Sequence, residues 1–82
     1  MPQVRILFFA QVQERLGQPA GSYALPASTT VEAVLAHLAE RHPELAELLP
    51  RCRLALDQAF ARGAIALDEN SEIAVIPAVS GG

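Results

Sequence analysis

The sequence closes on Val79, Ser80, Gly81 and Gly82, and its two final glycines carry the least ordinary chemistry in the chain. Glycine fills roughly 7% of positions in an average protein, so a Gly-Gly ending arises by chance about once in two hundred chains. A terminal carboxylate becomes reactive once one oxygen is activated as a leaving group, for example as an acyl-adenylate. Two residues without Cβ atoms form a thin, pliable tip that can thread a partner's channel and present an unhindered carbonyl. These glycines serve access and do not catalyse. The competing reading is a frayed terminus without a role.

The other candidate groups point to little chemistry. A metal site needs several His, Cys or carboxylate groups to converge, and His37, His42 and Cys52 are the candidates. Five helical steps separate His37 from His42, a rotation of roughly 140° that sends the rings apart, so both are expected at the surface. Cys52 has no second cysteine at redox spacing and reads as a partly buried structural thiol. Asp68, Glu69 and Glu72 imitate a pair of catalytic acids but fall in a polar turn. Gly17 and Gly21 form no phosphate-cradling pattern and lysine is absent, so the chain is expected to bind no cofactor of its own.

The 82 residues carry a net charge of −3 and are 51% hydrophobic but only 5% aromatic, as expected of one small domain. We place that domain at residues 1–77 and a flexible tail at residues 78–82. A chain of this size cannot enclose a large active site and the shell that supports it, so a partner is expected to supply the pocket. The six arginines are scattered, with Arg51 and Arg53 the one close pair, which argues against nucleic acid as a partner. The longest unbroken apolar run, Ile6 to Ala10, is far short of the roughly 20 residues that span a bilayer, which argues against a membrane partner. One cysteine cannot close an internal disulfide, and a cytoplasmic location is expected.

Periodicity supplies the elements that must position the terminus. Val4 to Phe9 reads as a strand, with Val4, Ile6 and Phe8 on one face and Arg5, Leu7 and Phe9 on the other. Ala10 to Leu16 is a helical turn or loop ended by Gly17, and Ser22 to Leu25 is a second strand forming an antiparallel pair with the first. Thr29 and Glu32 have capping-box spacing, and Val31, Val34, Leu35 and Leu38 mark one face of a helix from about Thr30 to Arg41. Pro43 opens a second short helix bearing Leu45, Leu48 and Leu49, which Pro50 closes. Leu54 and Leu56 then face inward, with Arg53, Ala55 and Asp57 outward. A loop through Phe60, Arg62 and Gly63 leads to a short strand at Ile65 to Leu67. Asn70 is expected to take a left-handed conformation in the next turn, before a last strand from Glu72 to Pro77.

This order describes an α+β fold in which one main helix covers one face of a mixed sheet. The uncovered face would carry Arg5, Leu7, Phe9, Ala74 and Ile76. An apolar patch there reads either as a partner surface or as a central strand hidden by a loop.

The segments Val4-Arg5-Ile6-Leu7-Phe8-Phe9-Ala10, Thr30-Val31-Glu32-Ala33 and Glu72-Ile73-Ala74-Val75-Ile76-Pro77, together with the Gly-Gly end, resemble the small, sulfur carrier subunits of molybdopterin synthase. The resemblance covers essentially the whole chain. It departs from the family's pattern at Pro77-Ala78, where a second proline is common, and at Asn70, where glycine is common. It implies a ubiquitin-like β-grasp fold with the first and last strands parallel neighbours. It also implies partner contacts through Phe9, Phe60, Ile76, Pro77 and Val79, with Gly81 giving access and Gly82 carrying the reactive carboxylate.

The same resemblance implies a function as one subunit of a sulfurtransferase. Gly82 would be adenylated by a ubiquitin-activating-type adenylyltransferase that consumes ATP, and a sulfur donor protein would then convert it to a thiocarboxylate. The large synthase subunit would use that sulfur on cyclic pyranopterin monophosphate to build the dithiolene of molybdopterin. Two small and two large subunits are implied. Related carriers for thiamine, cysteine or tRNA thiolation, a ubiquitin-like protein modifier, and a non-reactive interaction domain are the alternatives.

Overall fold

The computed structural model describes residues 1–78. Strand β1 (Gln3–Phe8) leads into helix α1 (Ala10–Leu16), and β2 (Ala20–Ala24) returns beside β1. A short β3 (Ser28–Thr30) precedes the main helix α2 (Val31–Arg41). Two 3₁₀ turns, Pro43–Leu45 and Leu49–Arg51, then lead to β4 (Cys52–Leu56), β5 (Ala59–Phe60), β6 (Ala64–Ala66) and β7 (Glu72–Pro77). The main sheet has the order β2-β1-β7-β4-β5, and β3 pairs with β6 in a separate two-stranded sheet.

Strands β1 and β7 are parallel, with Leu7 beside Ala74 and Phe8 beside Val75. Strand β2 is antiparallel to β1, and β4 is antiparallel to β7. The alternation in β1 and β7 sends Val4, Ile6, Phe8, Ile73 and Val75 into the core. They meet Val31, Val34 and Leu38 from α2 and Val12 from α1. Each such apolar side chain contributes roughly 1.5–3 kcal/mol through burial. One face of the sheet is thereby filled, and its other face receives Arg5, Leu7, Ala55, Ala74 and Ile76.

Several local expectations change. The cap of α2 is Thr30, whose Oγ1 accepts from the Ala33 N–H at 3.0 Å, so the helix starts one residue later than a Thr29–Glu32 box would place it. Thr29 instead lies in β3, paired with Ile65. That strand is three polar residues, Ser28, Thr29 and Thr30, and only its distant partner makes it a strand. The expected second helix is two separate 3₁₀ turns, and Pro50 lies inside the later one instead of closing a helix.

The loop expected at Phe60 is a hairpin. Asp57 and Gln58 have φ of 49° and 74°, the two left-handed residues of a tight type I′ turn that joins β4 to β5. No glycine marks the turn, so its residue types conceal it. Conversely, Asn70 is not among the described residues with positive φ. Its turn is held by Asp68, whose Oδ1 accepts from the Asn70 N–H at 2.8 Å, and by Ser71, whose Oγ accepts from the Asp68 N–H at 2.9 Å. These side-chain bonds do the work that a left-handed residue would otherwise do.

Candidate functional site

The uncovered sheet face holds a shallow groove of about 320 Å³ lined mainly by Leu7, Phe9, Ala55, Phe60, Ala74 and Ile76. Gln58 and Glu72 lie along it as its polar members. The register explains why these residues meet. Leu7 is beside Ala74 across the parallel β1–β7 pair, and Ala74 is beside Ala55 across β7–β4. Ala55 is in turn beside Phe60 across the β4–β5 hairpin. Two alanines therefore make a low floor between larger side chains. Ala55 is buried by this surround, although its outward parity alone predicts exposure.

Phe9 follows the last residue of β1 at the N-terminus of α1, and its side chain makes no capping bond. It is 43% exposed, and Phe60 on the outermost strand is 65% exposed. Large aromatic groups so displayed are unusual for a chain with few aromatics, and their union with Ile76 in one groove is the pattern of a contact surface. Leu7 and the two phenylalanines are not hidden beneath a loop of the described residues. Pro77 ends β7 opposite Cys52, and the Ala78 N–H donates to the Arg51 carbonyl at 2.9 Å. The groove thus runs beside the strand that leads toward the carboxyl end. Val79, Gly81 and Gly82 lie outside the described residues.

Two residues that the sequence pattern leaves unmarked bear on Phe60, one over its ring and one in the turn before it. Arg53 places its guanidinium carbon 5.4 Å from the Phe60 ring centroid, a cation–π contact, and is also the cross-strand neighbour of Ile76. Asp57 ties the turn that precedes Phe60 to the start of β7: its N–H donates to the Glu72 carbonyl at 2.8 Å, and its Oδ1 accepts from the Glu72 N–H at 2.9 Å. Neither role was legible, because Asp57 and Arg53 read as outward-facing polar residues of a strand.

The histidines lie away from the solvent-facing positions expected for them. The His42 Nε2 and Tyr23 hydroxyl share a hydrogen bond at 2.7 Å, and His37 meets the same ring edge-on at a centroid distance of 6.4 Å. Both histidines are half-buried. The helical rotation fails as a guide because α2 ends at Arg41, and His42 caps it with φ −133° and ψ 79°. Burial raises the Tyr23 phenol above its ordinary value, and the Arg41 guanidinium opposes that rise. The Cys52 thiol donates to the Leu48 carbonyl at 3.3 Å, and burial raises it above the ordinary cysteine range. A thiol so placed is a poor nucleophile at neutral pH. Among the described residues, no group of three or more His, Cys, Asp or Glu side chains is placed to hold a metal ion.

A mixed sheet that grips one main helix, with its first and last strands parallel at the centre, defines a ubiquitin-like β-grasp protein. The ThiS family matches residues 6–82, and this chain belongs to that family. It is 33% identical over 82 residues to the molybdopterin synthase sulfur carrier subunit of Chlamydomonas reinhardtii, covering 98% of this chain and 99% of the relative. The Haloferax volcanii HVO 2177 protein superposes with a TM-score of 0.83 at 27% identity, over 99% of this chain and 87% of its own. Subunits 1 and 2 of the Helicobacter pylori molybdopterin-converting factor have been solved as a complex. A chain of that complex has the same fold, with a TM-score of 0.71 at 22% identity over 98% of this chain and 99% of its own.

Proposed function

We propose that this chain is the sulfur carrier subunit of a molybdopterin synthase. The observation that carries the reading is the apolar groove beside β7, which offers a docking surface on the strand leading to Gly81 and Gly82. The end-to-end similarity to carriers of that name supports it.

In this reading the Gly82 carboxylate attacks the α-phosphorus of ATP held by a ubiquitin-activating-type adenylyltransferase. Pyrophosphate leaves and an acyl-adenylate forms. Sulfide, released from a sulfur donor protein by a thiol reductant, then attacks the acyl carbon and displaces AMP, leaving a thiocarboxylate on Gly82. The large synthase subunit docks over Phe9, Phe60 and Ile76, with Pro77 and Val79 guiding the tail into its active site. There the thiocarboxylate sulfur attacks a carbon of cyclic pyranopterin monophosphate and displaces an oxygen substituent. Water then cleaves the acyl–sulfur bond to return the Gly82 carboxylate, and two such carrier cycles supply the two sulfurs of the dithiolene. The chain delivers the nucleophile, whereas ATP, pterin and the acid-base groups are held by partners.

The test is an intact mass measured after incubation with the adenylyltransferase, ATP and a sulfur source. One oxygen should be exchanged for one sulfur, and deletion of Gly82 should abolish the exchange without lowering thermal stability. No exchange with a competent activating enzyme would leave a non-reactive interaction domain. Exchange without stable binding to the molybdopterin synthase large subunit would point to a carrier for another pathway.

A further inference from the structure

Phe60 occupies an exposed position from which a ring would ordinarily sample several rotamers. It lies on a two-residue edge strand that pairs only with β4, at the far side of the sheet. Three features restrain it. The Asp57–Gln58 turn holds two non-glycine residues at positive φ. The Ala61 N–H extends the hairpin by donating to the Leu54 carbonyl at 2.9 Å. Asp57 then ties the turn to the start of β7 through its backbone N–H and its carboxylate, both bonded to Glu72.

We propose that Asp57 and Arg53 are positioning residues that hold Phe60 in its docking orientation before a partner arrives. Asp57 sets the hairpin by acting as an extra rung of the β4–β7 ladder, at the point where backbone pairing of β4 ends. Arg53 sets the ring. From β4, where Arg53 is the cross-strand neighbour of Ile76, its guanidinium reaches over the Phe60 aromatic face and keeps the ring from turning away from the groove. A side chain ordered in advance loses less freedom on association, so the gain appears as affinity without a new contact. The partner is the large subunit of the carrier reading, on which this part of the proposal rests.

The experiment has a partner-free arm and a binding arm. In the free chain, the order of the Phe60 ring by NMR should fall in Asp57→Ala and in Arg53→Gln, and exchange of the Ala61 amide should quicken in Asp57→Ala. Asp57→Asn keeps an oxygen acceptor for the Glu72 N–H and should restore both readouts. Ring order unchanged in Asp57→Ala and Arg53→Gln overturns the proposal, whatever the partner does.

In the binding arm, titration against the molybdopterin synthase large subunit should show each disruptive variant weakened by roughly three- to tenfold. The same changes made in a Phe60→Ala background should have no further effect, because they act through that ring. Full additivity in that background would overturn the positioning role. Failure of the unmodified chain to bind counts against the carrier reading instead, and the ring-order result still decides the positioning.

Discussion

Tyr23 shows how much one side chain organises in a small domain. Its ring meets Phe8 edge-on in the core, lies near the Arg41 guanidinium, and brings together two histidines that sequence spacing holds apart. Gly21 makes room for it: a Cβ there would sit 2.8 Å from the ring. Replacing Tyr23 with phenylalanine removes the bond that joins β2 to the end of α2, and should cost about 1 kcal/mol in a urea titration. A second expectation concerns pH. Burial raises both Cys52 and Tyr23, so the folded chain holds these protons more tightly than the unfolded chain does. That stability is present below the unfolded values and is lost as pH climbs above about 8.5, first through the thiol and then through the phenol. The urea midpoint should therefore fall between neutral and alkaline pH, and Cys52→Ala should flatten the first part of the fall.

At the level of elements, α2 was located by its one-sided apolar stripe, and β1 and β7 by runs of β-forming residues in which the alternate side chains Val4, Ile6, Phe8, Ile73 and Val75 are fully buried. Strands β3 and β5 escaped notice for the opposite reason. They have three and two residues, and their identity comes from pairing with β6 and β4. The β4–β5 turn offers a direct check. Gln58 holds φ 74°, a conformation that costs a side-chain-bearing residue roughly 1 kcal/mol or more and glycine almost nothing. Gln58→Gly should raise the melting temperature, and no change would mean that the turn relaxes in solution.

For the whole molecule, the two faces of one sheet divide the tasks of stability and contact. The helix-covered face holds the buried aliphatic side chains, whereas Phe9 and Ile76 on the groove side are not part of that packed cluster. Phe9→Asp should accordingly leave the free energy of unfolding within roughly 0.5 kcal/mol of the parent. It should weaken binding to the large synthase subunit by at least about 1 kcal/mol if Phe9 is a central anchor. Retained binding would move the contact surface elsewhere. No helix of the described residues is long and apolar enough to cross a membrane.

The sequence by itself determined the alternation of β1 and β7, the amphipathic face of α2, and the apolar parity set that includes Leu7, Phe9 and Ile76. Each depends on local period and residue type, which are written in order along the chain. The family resemblance grouped Phe60 with Phe9 and Ile76, but only the tertiary structure decided how the β4–β5 hairpin brings it to them, that Ala55 forms the floor, that Arg53 lies over the Phe60 ring, and that Asp57 ties the preceding turn to Glu72. Those relations arise from strand register and from a left-handed turn without glycine. Register pairs residues far apart in sequence, and no local period reports it.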